Sequence, residues 1–296
     1  MSKLLRKPLV VLDEHWYWQK TLPMRVLWPI AKLVAGTSVL VVSGSLSKKF
    51  WGIAGLSSEK IKVLHFDSSL LKPQVKHVLL AEKIKTQFSK KIVLYFGRLI
   101  KRKGVDFLIK AFADISKEKK DVVLVIAGKG EERGNLEKLC KDLGLCNQVY
   151  FAGFVNEDDK VAYFLACDVF VCPSVTIGMP EIWGIVVNEA VSLGKPVVTT
   201  TAVGSSVDLV RHGINGYVVP ERNVEALYRA IKIILDSEKL RVSMGKASEK
   251  IAEKFTYSLV SKGLGETVES AMKKAVPYVA YSSILNVHKL QSTNSV

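Results

Sequence analysis

Residues 91–104 form the stretch KIVLYFGRLIKRKG, a β-rich run followed by a turn with a glycine at each end. β-Branched and aromatic residues favour a strand, and apolar residues at helical spacing resume at Val105. The stretch therefore predicts a strand, a turn and a helix in succession. In a doubly wound sheet, the turn after such a strand lies where ligands bind.

The same alternation of a short β-rich run and a longer helical pattern continues along the chain. Further β-rich runs span residues 121–128, 148–153, 168–173 and 195–200. This order predicts βαβ units, in which helices cover both faces of a parallel sheet. We predict an α/β fold with a Rossmann-like domain over residues 91–255. A terminal helix over 256–276 is expected to pack back on the N-terminal domain, ahead of a tail over 277–296.

The first 90 residues show a weaker form of the pattern. Strands are predicted at 9–13, 38–42 and 60–64, with helices over Met24–Ala35 and Ser45–Ala54. These elements look like the second half of another Rossmann-like domain. Residues 74–90 would then connect the two domains.

The composition is that of a folded, basic protein. Apolar residues make up 48% of the chain, the mean hydropathy is +0.19 and the net charge is +15. No apolar run approaches the length of a membrane-spanning helix and no secretory signal is present, so we expect a cytoplasmic protein. Residues 1–90 hold 15 Lys and Arg but 5 Asp and Glu, and four of the five tryptophans. This mixture suits an anionic membrane or nucleic acid, and charge alone does not decide between them.

No cysteine or histidine has the spacing of a metal ligand set, and a single acidic run resembles a metal site. The cysteines form no CxxC or Cys/His pattern, and we interpret them as reduced core thiols. They are Cys140, Cys146, Cys167 and Cys172. The acidic run Glu157–Asp159 stands at a predicted helix start, where carboxylates favour the helix dipole, so we interpret it as capping.

Two turns on adjacent units are candidates for a phosphate site. The turn at 97–104 carries guanidinium and ammonium groups that can neutralise a diphosphate, although a solvated basic loop has the same composition. The next strand ends in Gly128-Lys129-Gly130. A lone Gly-x-Gly fits any tight connection, but here the two turns could face one ligand.

Two carboxylates flank a helix start in the segment PEIWGIVVNEA, residues 180–190. Glu181 precedes the helix, and Gly184 marks its start, where free backbone N–H groups favour an anion such as phosphate. Glu189 shares a face with Ile185 and Leu193, so its carboxylate points to the apolar side and needs a partner. That partner is either a set of sugar hydroxyls or a salt bridge in the core.

The joint order of these motifs is similar to that of family 4 glycosyltransferases. The resemblance extends from about residue 8 to about residue 270 and is sharpest from 91 to 220. The segments that carry it are Gly97-Arg98 with Lys103-Gly104, Gly128-x-Gly130, Asp168–Ser174, Glu181 with Glu189-Ala190, Gly194–Val198 and Asn215-Gly216.

The resemblance implies a GT-B fold, in which two Rossmann-like domains face a cleft. It also implies retaining transfer of a hexosyl-type sugar from a nucleoside-diphosphate sugar to a hydroxyl acceptor, without a metal or another cofactor. Arg98 and Lys103 match the cations that contact the donor diphosphate. Glu181 matches the carboxylate on the donor sugar, and Glu189 the one on the ribose.

The resemblance assigns further residues to the same donor site. These are Gly97, Gly128, Gly130, Trp183, Gly184, Ile185 and Val186. It also places His15, which follows the strand at 9–13, beside the reacting centre, so the implied catalytic groups are Glu181, Arg98, Lys103 and His15. Taken alone, a histidine beside Trp16 and Tyr17 is more often packed than catalytic.

The chain also departs from the family pattern. Family members begin about 100 residues earlier, so residues 1–90 match only part of an acceptor-side domain and its linker. The usual Asn-Gly-x-Asp segment is replaced by His65-Phe66-Asp67-Ser68-Ser69. Two alternatives to an active transferase therefore stay open: a donor-binding subunit that needs a partner chain, and a sugar-nucleotide epimerase. Nucleic-acid binding rests on charge alone, and we do not predict it.

The predicted helix over Met24–Ala35 motivates a hypothesis about a membrane. Its only charged residues, Arg25 and Lys32, are seven positions apart and fall on one stripe. Such a helix is either buried or interfacial. We therefore expect either packing under a further half-domain or peripheral docking on an anionic inner leaflet, where a lipid-linked acceptor would lie.

Overall fold

Two separate parallel sheets form the framework of the chain. The computed structural model describes residues 9–17, 29, 39–67 and 71–275. The smaller sheet has the order β1-β2-β3, with β1 (Val10–Asp13), β2 (Val39–Val42) and β3 (Ile61–Val63). Helix α1 (Ser45–Ile53) links β2 to β3. The helix predicted at 24–35, apart from Pro29, and the tail at 277–296 lie outside the described residues.

The larger sheet has the order β6-β5-β4-β7-β8-β9, and all of its pairs are parallel. Its strands are β4 (Lys91–Phe96), β5 (Val122–Ala127), β6 (Val149–Gly153), β7 (Val169–Cys172), β8 (Val197–Thr200) and β9 (Gly216–Val219). The chain first builds outward from β4 to β6 and then returns to the other side of β4. The strand order reverses between β4 and β7, and in doubly wound sheets ligands bind at the carboxyl ends beside such a reversal.

Helices cover both faces of the larger sheet, as predicted. The helices after β3 are α2 (Val75–Phe88), α3 (Val105–Glu118), α4 (Arg133–Asp142), α5 (Glu157–Ala166), α6 (Ile185–Ser192), α7 (Ser206–Leu209), α8 (Val224–Asp236), α9 (Glu238–Ala252) and α10 (Tyr257–Ala275), the last of which lies against the smaller sheet instead. Alternate residues of β4 serve opposite cores. Val93 and Tyr95 pack with α3 and α8, whereas Ile92 and Leu94 pack with α2, α5 and α6. The predicted α/β fold with parallel sheets is confirmed.

Residues 74–90, predicted as a connection, form a helix that packs on the larger sheet. Helix α2 lies along α5, and Asp158 at the start of α5 accepts from Lys76 at 2.6 Å and contacts His77 Nε2 at 3.3 Å. The acidic run at 157–159 occupies the first turn of α5, and the Asn156 side chain caps that helix by accepting from Asp159 N. The domain boundaries at 90 and 255 stay a prediction.

Strand β9 and Cys146 differ from what the sequence predicts. Strand β9 was not predicted, because a four-residue run after Asn215-Gly216 is too short to show a period. Cys146 is exposed, so interpreting all four cysteines as core thiols is wrong at that position, whereas Cys140, Cys167 and Cys172 are buried. Cys146 lies in the loop between α4 and β6.

Helix α10 contacts the smaller sheet. It lies against β1, and a Cβ added at Gly263 would stand 2.5 Å from Leu64 Cδ2. A side chain at Gly263 would thus require the Leu64 side chain to move.

Candidate active site

The basic turn lies at the carboxyl ends of β4, β5 and β7. Residues Lys101–Lys103 form a single 3-10 turn that ends at Gly104, which has φ 64°. A Cβ at Gly104 would stand 2.1 Å from Pro173 O, and Val175 N donates to Arg102 O at 2.9 Å. The turn is therefore fixed against the segment after β7, beside the reversal of strand order.

The two glycine turns contact each other directly. A Cβ at Gly128 would stand 1.8 Å from Gly97 O, and one at Gly130 would stand 2.2 Å from Leu99 O. Leu99 N donates to Lys129 O at 3.0 Å, which extends the pairing of β4 and β5 beyond the strands. These glycines allow two backbone segments to meet, so close packing between the turns explains them even without a ligand.

Glu181 is the meeting point of the basic turn and the segment after β7. Its Oε2 accepts from Lys103 Nζ at 2.6 Å and from Arg102 Nη1 at 3.2 Å. Arg102 also donates to Pro180 O at 3.0 Å. The backbone of Glu181 is held as well, because its N–H donates to Ala202 O at 2.9 Å. The structure thus brings together Glu181 and Lys103, two of the residues predicted from sequence.

Arg102 was not among the predicted site residues. The sequence places it in a run of cations, and nothing in that run distinguishes it from the exposed Lys101. Arg98, which was predicted, is exposed, and within the described ranges it has no ion-pair partner. Its backbone is fixed, since Tyr95 Oη donates to Arg98 O at 2.7 Å. Arg98 is therefore a cation available to a ligand at this turn.

Glu189 lies one turn inside α6 and is paired with a buried lysine. Its Oε1 accepts from Lys160 Nζ at 2.7 Å, and the two side chains are 14% and 6% exposed. The other oxygen, Oε2, is buried and has no hydrogen-bond partner among the residues that the structure describes. Burial raises the pKa of Glu189, and Lys160 offsets part of that rise. The core salt bridge considered from the sequence is present, but it satisfies only one oxygen.

At the start of α6, backbone N–H groups are free for a ligand, whereas the Trp183 side chain is buried. Gly184 has φ 86° and precedes the helix, so the N–H groups of Ile185 and Val186 begin its first turn without helical partners. The ring of Trp183 points elsewhere: it is 3% exposed, donates from Nε1 to Asn188 Oδ1 at 2.6 Å and packs on Phe66. The side chain of Trp183, one of the predicted donor-site residues, therefore packs in the core.

His15 follows β1 and faces the segment that carries Glu181. Its Nδ1 lies 2.6 Å from Asp13 Oδ1, and its ring lines a small cleft with Met179 and Pro180. Next to it, Trp16 Nε1 donates to Ile182 O at 2.9 Å. His15 precedes Trp16 in the chain and Glu181 precedes Ile182, so this hydrogen bond shows that the two predicted residues lie on facing segments. The hydrogen bond to Asp13 raises the pKa of His15, and burial offsets part of the rise.

A second contact joins the smaller sheet to the larger one. Asp208 in α7 accepts from Ser45 N at 3.0 Å and lies 3.3 Å from His65 Nε2. The His65 ring also packs on Phe255 and Trp183. Burial raises the pKa of Asp208, but the hydrogen bonds from His65 and Ser45 outweigh it and lower the pKa overall. No sequence signal identified this contact, because its members are about 140 positions apart or more.

A cleft of about 710 Å³ lies at the opposite edge of the larger sheet. Its wall includes the first residue of β4, Lys91, and the residues that precede β5, β7 and β8, namely Asp121, Asp168 and Pro196. It therefore lies at the amino ends of the strands. The basic turn, Glu181 and Glu189 stand at the other edge, so this cleft is separate from the candidate active site.

Comparison with known proteins identifies the family. The profile of the family described as Glycosyl transferases group 1 matches residues 80–251, which is more than half of the chain. The chain belongs to this family. The matched range contains the basic turn, both carboxylates and the whole of the larger sheet.

Two curated proteins that are named glycosyltransferases are similar to this chain. An uncharacterized glycosyltransferase of Methanocaldococcus jannaschii is 32% identical over 79% of this chain and 60% of its own length. The lipopolysaccharide core biosynthesis glycosyltransferase LpsE of Rhizobium meliloti is 35% identical over 64% of this chain and 50% of its own length. The chain thus spans about half to two thirds of the curated relatives it matches.

The fold matches a solved structure with a bound nucleotide. The crystal structure of Anabaena HepE in complex with UDP superposes with a TM-score of 0.79 and 26% identity, covering 91% of this chain and 74% of HepE. This match confirms the predicted GT-B-like fold. Within the described part of the chain, no helix has the length and apolar character to cross a bilayer.

Proposed function

We propose that this chain transfers a sugar from a nucleoside-diphosphate sugar to a hydroxyl acceptor. The observation that carries the proposal is the pairing of Glu181 with Lys103 at the reversal of strand order. A carboxylate with cations beside it offers acceptors for sugar hydroxyls and donors for phosphate in one place. The nucleotide in the HepE structure is UDP, which supports a nucleoside diphosphate as the common ligand class.

Each residue of the site has a proposed role in donor binding. Arg98 and Lys103 bind the diphosphate, which carries negative charge that a cleft must neutralise. Glu181 accepts from hydroxyls of the donor sugar, and Glu189 accepts from the ribose. The free N–H groups at the start of α6, at Ile185 and Val186, add to the anion site.

In the proposed reaction, the bond between the anomeric carbon and the diphosphate oxygen breaks. The acceptor oxygen forms its bond to the same carbon, and the acceptor proton passes to the leaving nucleoside diphosphate. His15 lines the reacting centre from the smaller sheet. Arg98 and Lys103 stabilise the charge that develops on the leaving group, so a metal ion is not needed for that task. Retention of the anomeric configuration rests on the resemblance to family 4.

The acceptor proposal includes a lipid-linked sugar or glycan. Its support is the similarity to LpsE, whose name places that protein in lipopolysaccharide core biosynthesis, and the basic first 90 residues. We propose that this part of the chain docks on an anionic cytoplasmic leaflet. Flotation with anionic vesicles that is weakened by salt and by Arg25→Glu/Lys32→Glu would support docking. A folded chain that stays in solution with anionic and neutral vesicles alike would exclude it.

The test of the function begins with donor binding by the whole chain. Calorimetry with UDP, GDP and ADP, followed by the sugar nucleotides of the base that binds, should show saturable binding that survives EDTA. The transfer assay then uses the preferred donor, with NMR of the product to read the anomeric configuration. Binding with turnover supports an active transferase, whereas binding that yields turnover only with an added partner chain supports the alternative, a donor-binding subunit. Absence of binding to every nucleoside diphosphate would overturn the proposal.

A further inference from the structure

Lys160 is a buried cation that pairs with Glu189. Its side chain is 6% exposed, and a lysine is seldom so buried without paired charges. Glu157 also pairs with Lys160, but its own side chain is 84% exposed. A pair with an exposed carboxylate contributes little to stability, so Glu157 alone does not account for the burial of Lys160.

The position of Lys160 links it to the end of β4. Its Nζ lies 5.6 Å from the centre of the Phe96 ring, and Phe96 is the last residue of β4, next to Gly97 of the basic turn. Lys160 therefore connects three elements: α5, which carries it, α6, which carries Glu189, and the strand that leads into the basic turn. The hydrogen bonds to Glu157 and Glu189 raise the pKa of Lys160 although burial opposes them, so it stays charged.

Glu189 has acceptor capacity that Lys160 does not use. An ionised carboxylate accepts through both oxygens, and here only Oε1 is bonded within the described residues. A buried oxygen without a partner is costly, and native structures retain such a group only with a reason. Oε2 itself is buried, but the side chain keeps 14% of its surface exposed, and because its terminal torsion rotates broadly, an oxygen can turn toward a ligand.

We propose that Lys160 is a positioning residue, which binds one oxygen of Glu189 and so presents the other acceptor positions of that carboxylate to hydroxyls of the donor. The inference rests on the proposed function and adds to it a residue on a different element. Lys160 itself touches no donor atom in this account. Its effect on binding passes through Glu189, and this makes it separable from a general effect on folding.

The test compares a ribonucleotide with an analogue that lacks its hydroxyls. Calorimetry uses the whole chain with the nucleoside diphosphate that the wild-type protein binds, and with its 2′,3′-dideoxy analogue. We expect the wild type to prefer the ribonucleotide by about tenfold or more, since each hydrogen bond to a charged group contributes that order of affinity. Lys160→Met should reduce the preference to below about twofold, with a smaller loss of affinity for the dideoxy analogue.

The control and the rescue separate positioning from folding. Lys195→Met removes another partly buried lysine, one that donates to Leu165 O and Cys167 O at the amino edge of the sheet, and it should leave the preference unchanged. Lys160→Arg should restore part of the preference. If Lys160→Met does not fold, Lys160→Gln is used, because it keeps a donor for Glu189 without the charge. It should lose part of the ribonucleotide preference, less than Lys160→Met would.

A double-mutant cycle decides whether the effect passes through Glu189. Glu189→Gln in the Lys160→Met background should weaken ribonucleotide binding far less than it does in the wild type. Additive losses, or a folded Lys160 variant with the full ribose preference, would overturn the inference while the proposed function stands. A wild-type chain that binds no nucleoside diphosphate would overturn both.

Discussion

Glu181 and Glu189 are eight positions apart and differ in what holds them. Glu181 accepts from two cations of the basic turn through one oxygen, and those cations, Lys103 and Arg102, are 13% and 22% exposed. Glu189 accepts from Lys160, which is 6% exposed and lies on a helix. Glu181 thus stands among cations that are partly exposed and that a phosphate can reach. Glu189 is held by Lys160, which is too buried for a phosphate to reach. The difference predicts separate contributions to transfer and to binding.

Loss of the central cation of the first network should have the largest effect. Lys103→Met removes a proposed diphosphate ligand and the shortest contact to Glu181, so kcat/KM should fall by about 100-fold or more, as expected for two charge-assisted bonds. Steady-state kinetics over a range of donor concentrations measures it. Lys101→Met is the matched control, because Lys101 is exposed in the same turn, and it should change kcat/KM by less than about threefold. Equal losses for the two lysines would remove Lys103 from the site.

The two carboxylates should separate in kinetics. Glu181→Gln is expected to lower kcat by about 10- to 100-fold, because a contact near the reacting sugar can strengthen in the transition state. Glu189→Gln should mainly raise the donor KM, since a contact to ribose contributes equally to the ground and transition states. The opposite pattern would exchange the roles of Glu181 and Glu189.

Arg98 tests whether the diphosphate reaches the exposed side of the turn. Arg98→Ala should weaken nucleoside-diphosphate binding by more than about tenfold, because it removes a charge-assisted bond to phosphate. Calorimetry measures the affinity, and thermal unfolding should be nearly unchanged since Arg98 is exposed. Unchanged affinity in a folded variant would take Arg98 out of the site.

Asp208 is a carboxylate that contacts Ser45 and His65 and has no proposed ligand. Asp208→Asn should lower the free energy of unfolding at pH 7 by about 1–2 kcal/mol, through weaker bonds to Ser45 and His65. The folded state lowers the pKa of Asp208, so its contribution to stability is fully present above the ordinary value of 3.8 and is lost progressively as the pH falls from there through the lower pKa of the folded state. Denaturant unfolding at pH 7 and pH 3 measures the difference. A variant equally destabilised at both pH values would contradict this account.

Local patterns predicted the framework of the site but not the pairs of residues that are distant in sequence. The strand at 91–96, its basic turn and the carboxylates at 181 and 189 follow from residue type and spacing within short segments. Lys160 could not be paired with Glu189 in this way, because the two are 29 positions apart and meet only through the packing of α5 on the sheet. Arg102 was missed for a related reason: which cation of a turn faces inward depends on backbone angles that the composition does not show.

The same limit applies to Trp183 and the glycine turns. The resemblance placed Trp183 in the donor site, whereas its ring packs on Phe66 and only the neighbouring backbone remains available. Gly128 was considered as a ligand-approach residue, and the structure shows that it admits the carbonyl of Gly97. In both cases the direction of the side chain or backbone group depends on the fold, which the residue's position in the chain does not show.

The most direct test of the central claim is a crystal structure of the whole chain with the nucleoside diphosphate that it binds. We expect the diphosphate within hydrogen-bond distance of Arg98 and Lys103, the ribose hydroxyls on Glu189, and Lys160 still bonded to that carboxylate. A nucleotide bound in the cleft at the amino ends of the strands, with Glu181 and Glu189 untouched, would contradict it.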